Sequence, residues 1–239
     1  MTAIRLSTRP LYLQLRDALA ERIASGEWQP GAFMPNEGEL AREFGVSPGT
    51  IRKALEILER ERVLTRRQGR GTIVNDQGSE KLAIRFWNVV GSNHKPVATT
   101  VRLGLVTEGA ANELECTRLG LSSQNRVYRI QRVHLCEDRP LMMEGASVPA
   151  ALFPDLLERQ DSAERLVLLA QRYGILLAKA EERISIGLAQ ASFAETLNVA
   201  AGSAVLVLDR VVVDLMGRPI EWRVGYCHFA DEFYLAKTM

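Results

Sequence analysis

"FGVSPGTIRKALEILERERVLTRRQGRGTIV", residues 44–74, decides the fold. Gly45 suits the left-handed end of one helix. Ser47 reads as the N-cap of the next, with Pro48 at its first position, where a missing N–H costs nothing. Ile51, Leu55 and Leu58 then give that helix an apolar stripe. "VLTRRQGRGTIV" follows as two short β-rich segments around Gln68-Gly69-Arg70-Gly71, a hairpin signal. Arginine is concentrated here, at positions 60, 62, 66, 67 and 70.

Working back from this stretch, Asn36 and Glu39 have capping-box spacing before the apolar positions Leu40 and Phe44. Further back, Pro10 suits the first turn of a helix. Tyr12, Leu15, Leu19 and Ile23 recur at helical spacing, and Gly26 offers a stop. A helix, a short Gly-containing turn and a second helix make a helix-turn-helix, and the hairpin makes it winged. The second helix of such a motif enters the DNA major groove with its N-terminal residues nearest the bases. An arginine-rich wing follows phosphates or enters the minor groove, and glycine at its tip permits close approach of the backbone.

The chain has 239 residues and a formal charge of +1, with 46% hydrophobic and 25% charged residues. That length suits two domains of ordinary size. Residues 1–75 hold 12 Lys/Arg against 9 Asp/Glu, the remainder 18 against 20, so any polyanion partner belongs to the first domain. No apolar run approaches the roughly 20 residues that span a bilayer. "MTAIRLSTRPLYLQL" lacks the apolar core of a secretory signal, and a cytoplasmic protein is expected. Cys116, Cys136 and Cys227 are dispersed, without a C-x-x-C pair, and are expected to be free thiols that pack as small hydrophobes.

Residues 9–75 resemble the DNA-binding domain of the GntR family of bacterial transcriptional regulators. The likeness rests on Pro10-Leu11-Tyr12, Pro30-Gly31, Pro35-x-Glu37-x-Glu39-Leu40, Gly45-Val46-Ser47, Thr50-x-Arg52 and Gly69-x-Gly71-Thr72. It implies DNA contacts from Ser47, Thr50 and Arg52 on the helix and from Gln68, Gly69 and Arg70 on the wing. Helical geometry adds Gly49 and Lys53, and the wing's cationic character adds Arg67. Two positions depart from the family pattern. Pro48 stands where arginine is common, and Gly38 where arginine or a polar residue is common.

"NDQGSE", 75–80, reads as part of a linker, which gives domains at 8–76 and 85–232 joined by 77–84. The second domain reads as α+β. "PVATTVRLGLV" is a strand, with Thr107 capping a helix "EGAANELE". "RVYRIQRVHL" and "RPLMMEGASV" are strands joined across "CEDR". A helix is expected from about Ser162 to Tyr173, a short one near 190–197, and two closing strands around "MGRP". A loose repeat relates 127–144 to 205–221. It matches Arg132 with Arg210, Pro140 with Pro219 and Glu144 with Glu221, and places two hairpins in one antiparallel sheet with these charges near a shared cleft.

The same residues, about 85–230, resemble the UTRA effector domain of the HutC-type GntR subfamily, related in fold to chorismate lyase. That resemblance implies effector contacts at Arg132, His134, Glu144, Glu164, Glu221, Tyr226 and His228. Relatives that bind sugar phosphates carry Arg-x-Arg where this chain has Arg132-Val133-His134, and a serine and a tyrosine near Glu164 and Leu166. One arginine fewer and one carboxylate more suit an effector less negative than a phosphate dianion, a mono-carboxylate or a zwitterion. Of the three histidines, His94, His134 and His228, an ordinary hydrogen-bonded or ligand-facing role is expected rather than a metal site. No cofactor is implied.

The expected function is that of a ligand-responsive transcriptional regulator, a repressor, which binds a palindromic double-stranded operator as a homodimer. One recognition helix reads only a few base pairs, so two related half-sites are needed for useful specificity. The alternative is a lyase-type enzyme built on the C-terminal fold. Against it stand the fused winged helix and the absence of a Ser-His-Asp order, a P-loop or metal-ligand spacing.

Overall fold

The computed structural model describes residues 9–67, 69–78, 86–159 and 164–236. The chain divides into two compact units, one of Met1–Ser79 with Gly174–Leu176 and one of Glu80–Tyr173 with Leu177–Met239.

The first unit contains α1 (Leu11–Ala24), α2 (Glu37–Phe44) and α3 (Pro48–Arg60), then β1 (Leu64–Arg67) and β2 (Gly71–Val74). Pro10 is the N-cap of α1, one residue ahead of its first turn. Asn36 and Glu39 form the full capping box of α2: Asn36 Oδ1 accepts from the Glu39 N–H, and Glu39 Oε2 accepts from the Asn36 N–H, both at 2.9 Å. Gly45 ends α2 at φ 66°, where a side chain would be strained. Leu19, Leu40, Ile51, Leu55, Leu58 and Leu64 are almost fully buried and form the core. Arg16 is buried among them, which is tolerable because its guanidinium is paired with both Asp17 and Glu61. β1 and β2 pair antiparallel from Leu64 opposite Val74 to Arg67 opposite Gly71, and Phe33 bridges to Ile73.

The second unit is built on six antiparallel strands in the order β4-β5-β6-β9-β8-β7. These are β4 (Thr100–Ala110), β5 (Arg126–Cys136), β6 (Arg139–Pro149), β7 (Leu177–Leu188), β8 (Ala204–Asp214) and β9 (Pro219–Cys227). A separate ribbon pairs β3 (Val89–Val90) with β10 (Phe233–Tyr234). The α-helices among the described residues are α4 (Glu113–Leu119), α5 (Leu166–Arg172) and α6 (Ala191–Ala194). Glu137 and Asp138, both at positive φ, make the tight turn between β5 and β6.

The two hairpins suggested by the internal repeat, β5–β6 and β8–β9, lie side by side through pairing of β6 with β9. Because side chains alternate along a strand, each hairpin gives one row to each face. One face packs on α4 and α6: Val127 and Trp222 meet Ala111 and Leu119, while Tyr226 meets Phe193. On the other face Met142, Leu208 and Cys227 are covered by Trp87, Phe229 and Tyr234. All three cysteines are free, and burial pushes the Cys227 thiol up to about 12.

Two expectations for this unit need correction. Thr107 does not cap a helix; it pairs with Arg129 inside β4, which runs on to Ala110. The cap is Asn112, whose side chain and Glu115 form a second complete capping box. The expected helix from about Ser162 begins at Leu166 with Arg165 as its N-cap, while 160–163 lie outside the described residues.

Candidate DNA interface and ligand cavity

The N-terminus of α3 is organised around Ser47. Its Oγ accepts the Thr50 N–H at 3.2 Å and lies 2.8 Å from the Thr50 hydroxyl, so both side chains are held at the cap, Ser47 exposed and Thr50 half-buried. A Cβ on Gly49 would meet only Ser47 Oγ, at 3.8 Å, so the surface beside the cap is open. Arg52, one turn on, is exposed and held from α2: its Nε and Nη2 donate to Glu37 Oε2 at 3.0 and 2.9 Å. Lys53 points elsewhere, its Nζ 5.9 Å from the Tyr12 ring of α1.

The wing arginines divide into two kinds. Arg66 is half-buried and paired with Glu37, and its backbone N–H donates to Glu59 Oε1 at 3.0 Å, so it ties the wing to α2 and α3. Arg67 and Arg70 are exposed and form no side-chain ion pair among the described residues. Gly69 between them has φ 71° and open space around its Cα. Gln68, the remaining wing residue of interest, lies outside the described residues. Sequence reasoning missed Glu37 as the residue that fixes Arg52 and Arg66, although it lies within the quoted Pro-x-Glu-x-Glu-Leu.

In the second unit, a small cavity of about 50 Å³ lies on one face of the sheet. Its charged walls are Arg132 on β5, Glu144 on β6, Arg210 on β8, and Glu221 and Arg223 on β9. Glu164 and Arg165 border it just before α5, and Phe86, Trp87 and His134 give it an aromatic side. Arg132 Nη1 lies 3.2 Å from Glu144 and 3.7 Å from Glu221. Arg223 Nη1 donates to Glu144 Oε2 at 2.9 Å, and His134 Nε2 lies 3.3 Å from the same oxygen. The His134 ring stacks on Trp87 with centroids 5.0 Å apart.

Behind these, Glu182 on β7 lies 3.6 Å from Arg223 and 3.9 Å from Arg210, and accepts the Tyr234 hydroxyl. Arg210 also donates to the Phe86 carbonyl. Burial works to raise the Glu144 pKa, yet Arg223, His134 and Arg132 hold it well below the ordinary carboxylate range. Burial, reinforced by the like charge of Arg223, lowers Arg210 to about 10, so it stays charged at neutral pH.

Of the effector residues expected, Arg132, His134, Glu144, Glu164 and Glu221 come together on this cavity; Tyr226 and His228 do not. Tyr226 projects from the opposite face and stacks on Phe193 at 4.3 Å. His228 follows the end of β9, where its N–H donates to the Leu141 carbonyl. Arg210 stands at its repeat position opposite Arg132's hairpin. Arg223 was missed, though it is two residues beyond Glu221 and so shares its face. His94 sits in a turn at φ 58°.

A winged helix with exposed cations, followed by an antiparallel-sheet unit with a charged cavity, defines a two-domain transcriptional regulator. Residues 11–74 match the bacterial regulatory proteins of the gntR family, and residues 95–232 match the UTRA domain. The chain therefore belongs to the GntR family, in the HutC-type subfamily that carries a ligand-binding UTRA domain.

It is similar to the HTH-type transcriptional repressor NagR of Bacillus subtilis (strain 168), with 28% identity over 241 residues covering 97% of this chain and 99% of that protein. It is also similar to the mannosyl-D-glycerate transport/metabolism system repressor MngR of Escherichia coli (strain K12), with 28% identity over 202 residues and 83% of each chain. Two solved structures share the fold. YydK from Bacillus subtilis has a TM-score of 0.57 at 17% identity, over 97% of this chain and 100% of that one. PhnF from Mycobacterium smegmatis has a TM-score of 0.57 at 24% identity, over 94% and 98%. With relatives named as repressors, the protein is a regulator rather than an enzyme. No helix among the described residues is long and apolar enough to cross a membrane.

Proposed function

We propose that the protein is a ligand-responsive repressor that binds a palindromic operator as a homodimer and changes its DNA affinity when a small molecule occupies the UTRA cavity. In this reading α3 enters the major groove with Ser47, Gly49, Thr50 and Arg52 foremost, and Arg67, Gln68, Gly69 and Arg70 of the wing meet the adjacent backbone or minor groove. Lys53, turned toward Tyr12, is the weakest member of this set. Arg132, His134, Glu144, Glu164, Glu221 and Arg223 surround the effector.

The observation that carries the reading is the charged wall of the cavity. Three buried guanidiniums and their carboxylates on a sheet face is a costly arrangement, and a ligand that completes its hydrogen bonds gives it a use. The test combines light scattering with gel shifts on operator DNA, in the presence and absence of metabolites. A two-fold mass and a metabolite that shifts DNA affinity are expected. A monomer that binds DNA alone, or affinity that no metabolite changes, contradicts it.

A further inference from the structure

We infer that the ligand of the UTRA cavity is a small zwitterion, its anionic end on Arg210 and Arg223 and its cationic end on Glu164; this rests on the effector reading of that cavity. The first ground is charge balance. Three buried guanidiniums, Arg132, Arg210 and Arg223, are faced by three carboxylates, Glu144, Glu182 and Glu221, within 3.9 Å. A cluster already balanced gains nothing from a guest with net charge, because an added charge in a buried site stays uncompensated. A guest that carries both signs leaves the balance intact.

The second ground is the set of atoms still lacking a hydrogen-bond partner among the described residues. They include Nε of Arg223, on a side chain 7% exposed, and Oε2 of Glu164, whereas Nε of Arg210 faces Glu182 Oε1 at 3.9 Å. Nδ1 of the buried His134 is also without one. Buried polar atoms are rarely left unsatisfied, so these mark where a guest's atoms belong. The Arg223 nitrogen is an obligate donor that suits a carboxylate, and the Glu164 oxygen suits an ammonium. Glu164 Oε1 is already engaged by Arg172 at 2.5 Å, which leaves Oε2 for the guest.

The third ground is the wall. Trp87, whose ring stacks on His134, also lines the cavity, and an aromatic ring attracts an ammonium group. Phe86, Val101, Leu166 and Val167 give a small apolar side for a short side chain.

The experiment measures melting temperature and binding for the full chain with the twenty free amino acids and glycine betaine, and with the N-acetyl and methyl-ester forms of whichever binds. Glucose 6-phosphate is the dianionic control. At least one free zwitterion should stabilise the protein, with both blocked forms at least tenfold weaker. Glu164→Gln should bring the free form down to the affinity of its N-acetyl derivative, and Trp87→Leu should weaken all forms. Stabilisation by glucose 6-phosphate or an N-acetyl acid in preference to every zwitterion, or no response to any zwitterion, overturns the class and leaves the cavity reading standing. A zwitterion whose binding ignores both Glu164→Gln and Trp87→Leu places the ligand elsewhere and overturns both.

Discussion

Glu37, the first residue of α2, holds Arg52 of α3 through two hydrogen bonds to one carboxylate oxygen, at 3.0 and 2.9 Å. The other oxygen is paired with Arg66 of the wing. One carboxylate therefore fixes the orientation of an arginine on each of the two elements proposed to meet DNA. Arg52→Ala is expected to weaken specific operator binding about ten- to a hundredfold if that residue reads a base edge. Glu37→Gln should lower the preference for operator over scrambled DNA, with smaller loss on scrambled DNA. Gel shifts on both sequences check this, and equal affinity for wild type and Arg52→Ala would remove Arg52 from the interface.

The free wing arginines make a different prediction. Each phosphate neutralised contributes about 0.9 to the slope of log affinity against log salt on duplex DNA. Arg67→Ala with Arg70→Ala should therefore flatten that slope by nearly two, whereas Arg66→Ala should instead lower the melting temperature, since Arg66 is bound within the protein. Fluorescence anisotropy at four salt concentrations separates the two effects.

The first unit was legible because its signals are local. Asn36 with Glu39, Gly45, and Ser47 with Pro48 each act within one turn of chain, and each does what its spacing predicts. The second unit was legible where alternation applied. Arg132, Glu144 and Glu221 are charges on strands that need a partner, and the structure gives them one another and a cavity. Thr107 misled because the pairing that extends β4 comes from β5, some twenty residues away, and outweighs a local capping preference. Tyr226 is five residues from Glu221, an odd step that sends it to the other face, so alternation alone rules it out of the cavity. Phe86 and Trp87 carry no such signal: they reach the cavity through the fold, next to a segment that reads as linker.

Glu144 touches Arg132, His134 and Arg223, so its loss leaves buried cations uncompensated. Glu144→Ala is expected to destabilise the second unit by ~3–5 kcal/mol. Arg132→Ala should have a cost of the same kind, through both Glu144 and Glu221. Urea unfolding followed by tryptophan fluorescence measures this. A variant of Glu144 with unchanged stability would mean that the cluster is held by water rather than by its own charges.

The pH dependence follows from the depressed carboxylates. In the folded chain Glu144 and Glu115 titrate below their ordinary value: burial opposes this, but Arg223, His134 and Arg132 outweigh it for Glu144, and Arg129 with backbone and Ser147 hydrogen bonds for Glu115. A depressed folded pKa gives stability that is fully present above the unfolded value of about 4.3 and is lost as pH falls through the folded one. Melting temperature should therefore be nearly flat from pH 7 to 5 as far as these groups contribute, then fall below pH 4. A steep decline already between pH 7 and 5 would contradict the assignment of these two groups as ion-paired.

The central claim is a sequence-specific DNA reader that works as a two-fold pair, and in vitro selection from random duplexes tests it most directly. The account predicts that the full chain enriches an inverted repeat whose half-sites are centred about one helical turn, ~10 base pairs, or a multiple of it apart, and that Arg52→Ala loses that enrichment. Enrichment of an asymmetric single site, or of no sequence beyond what charge alone retains, would contradict it.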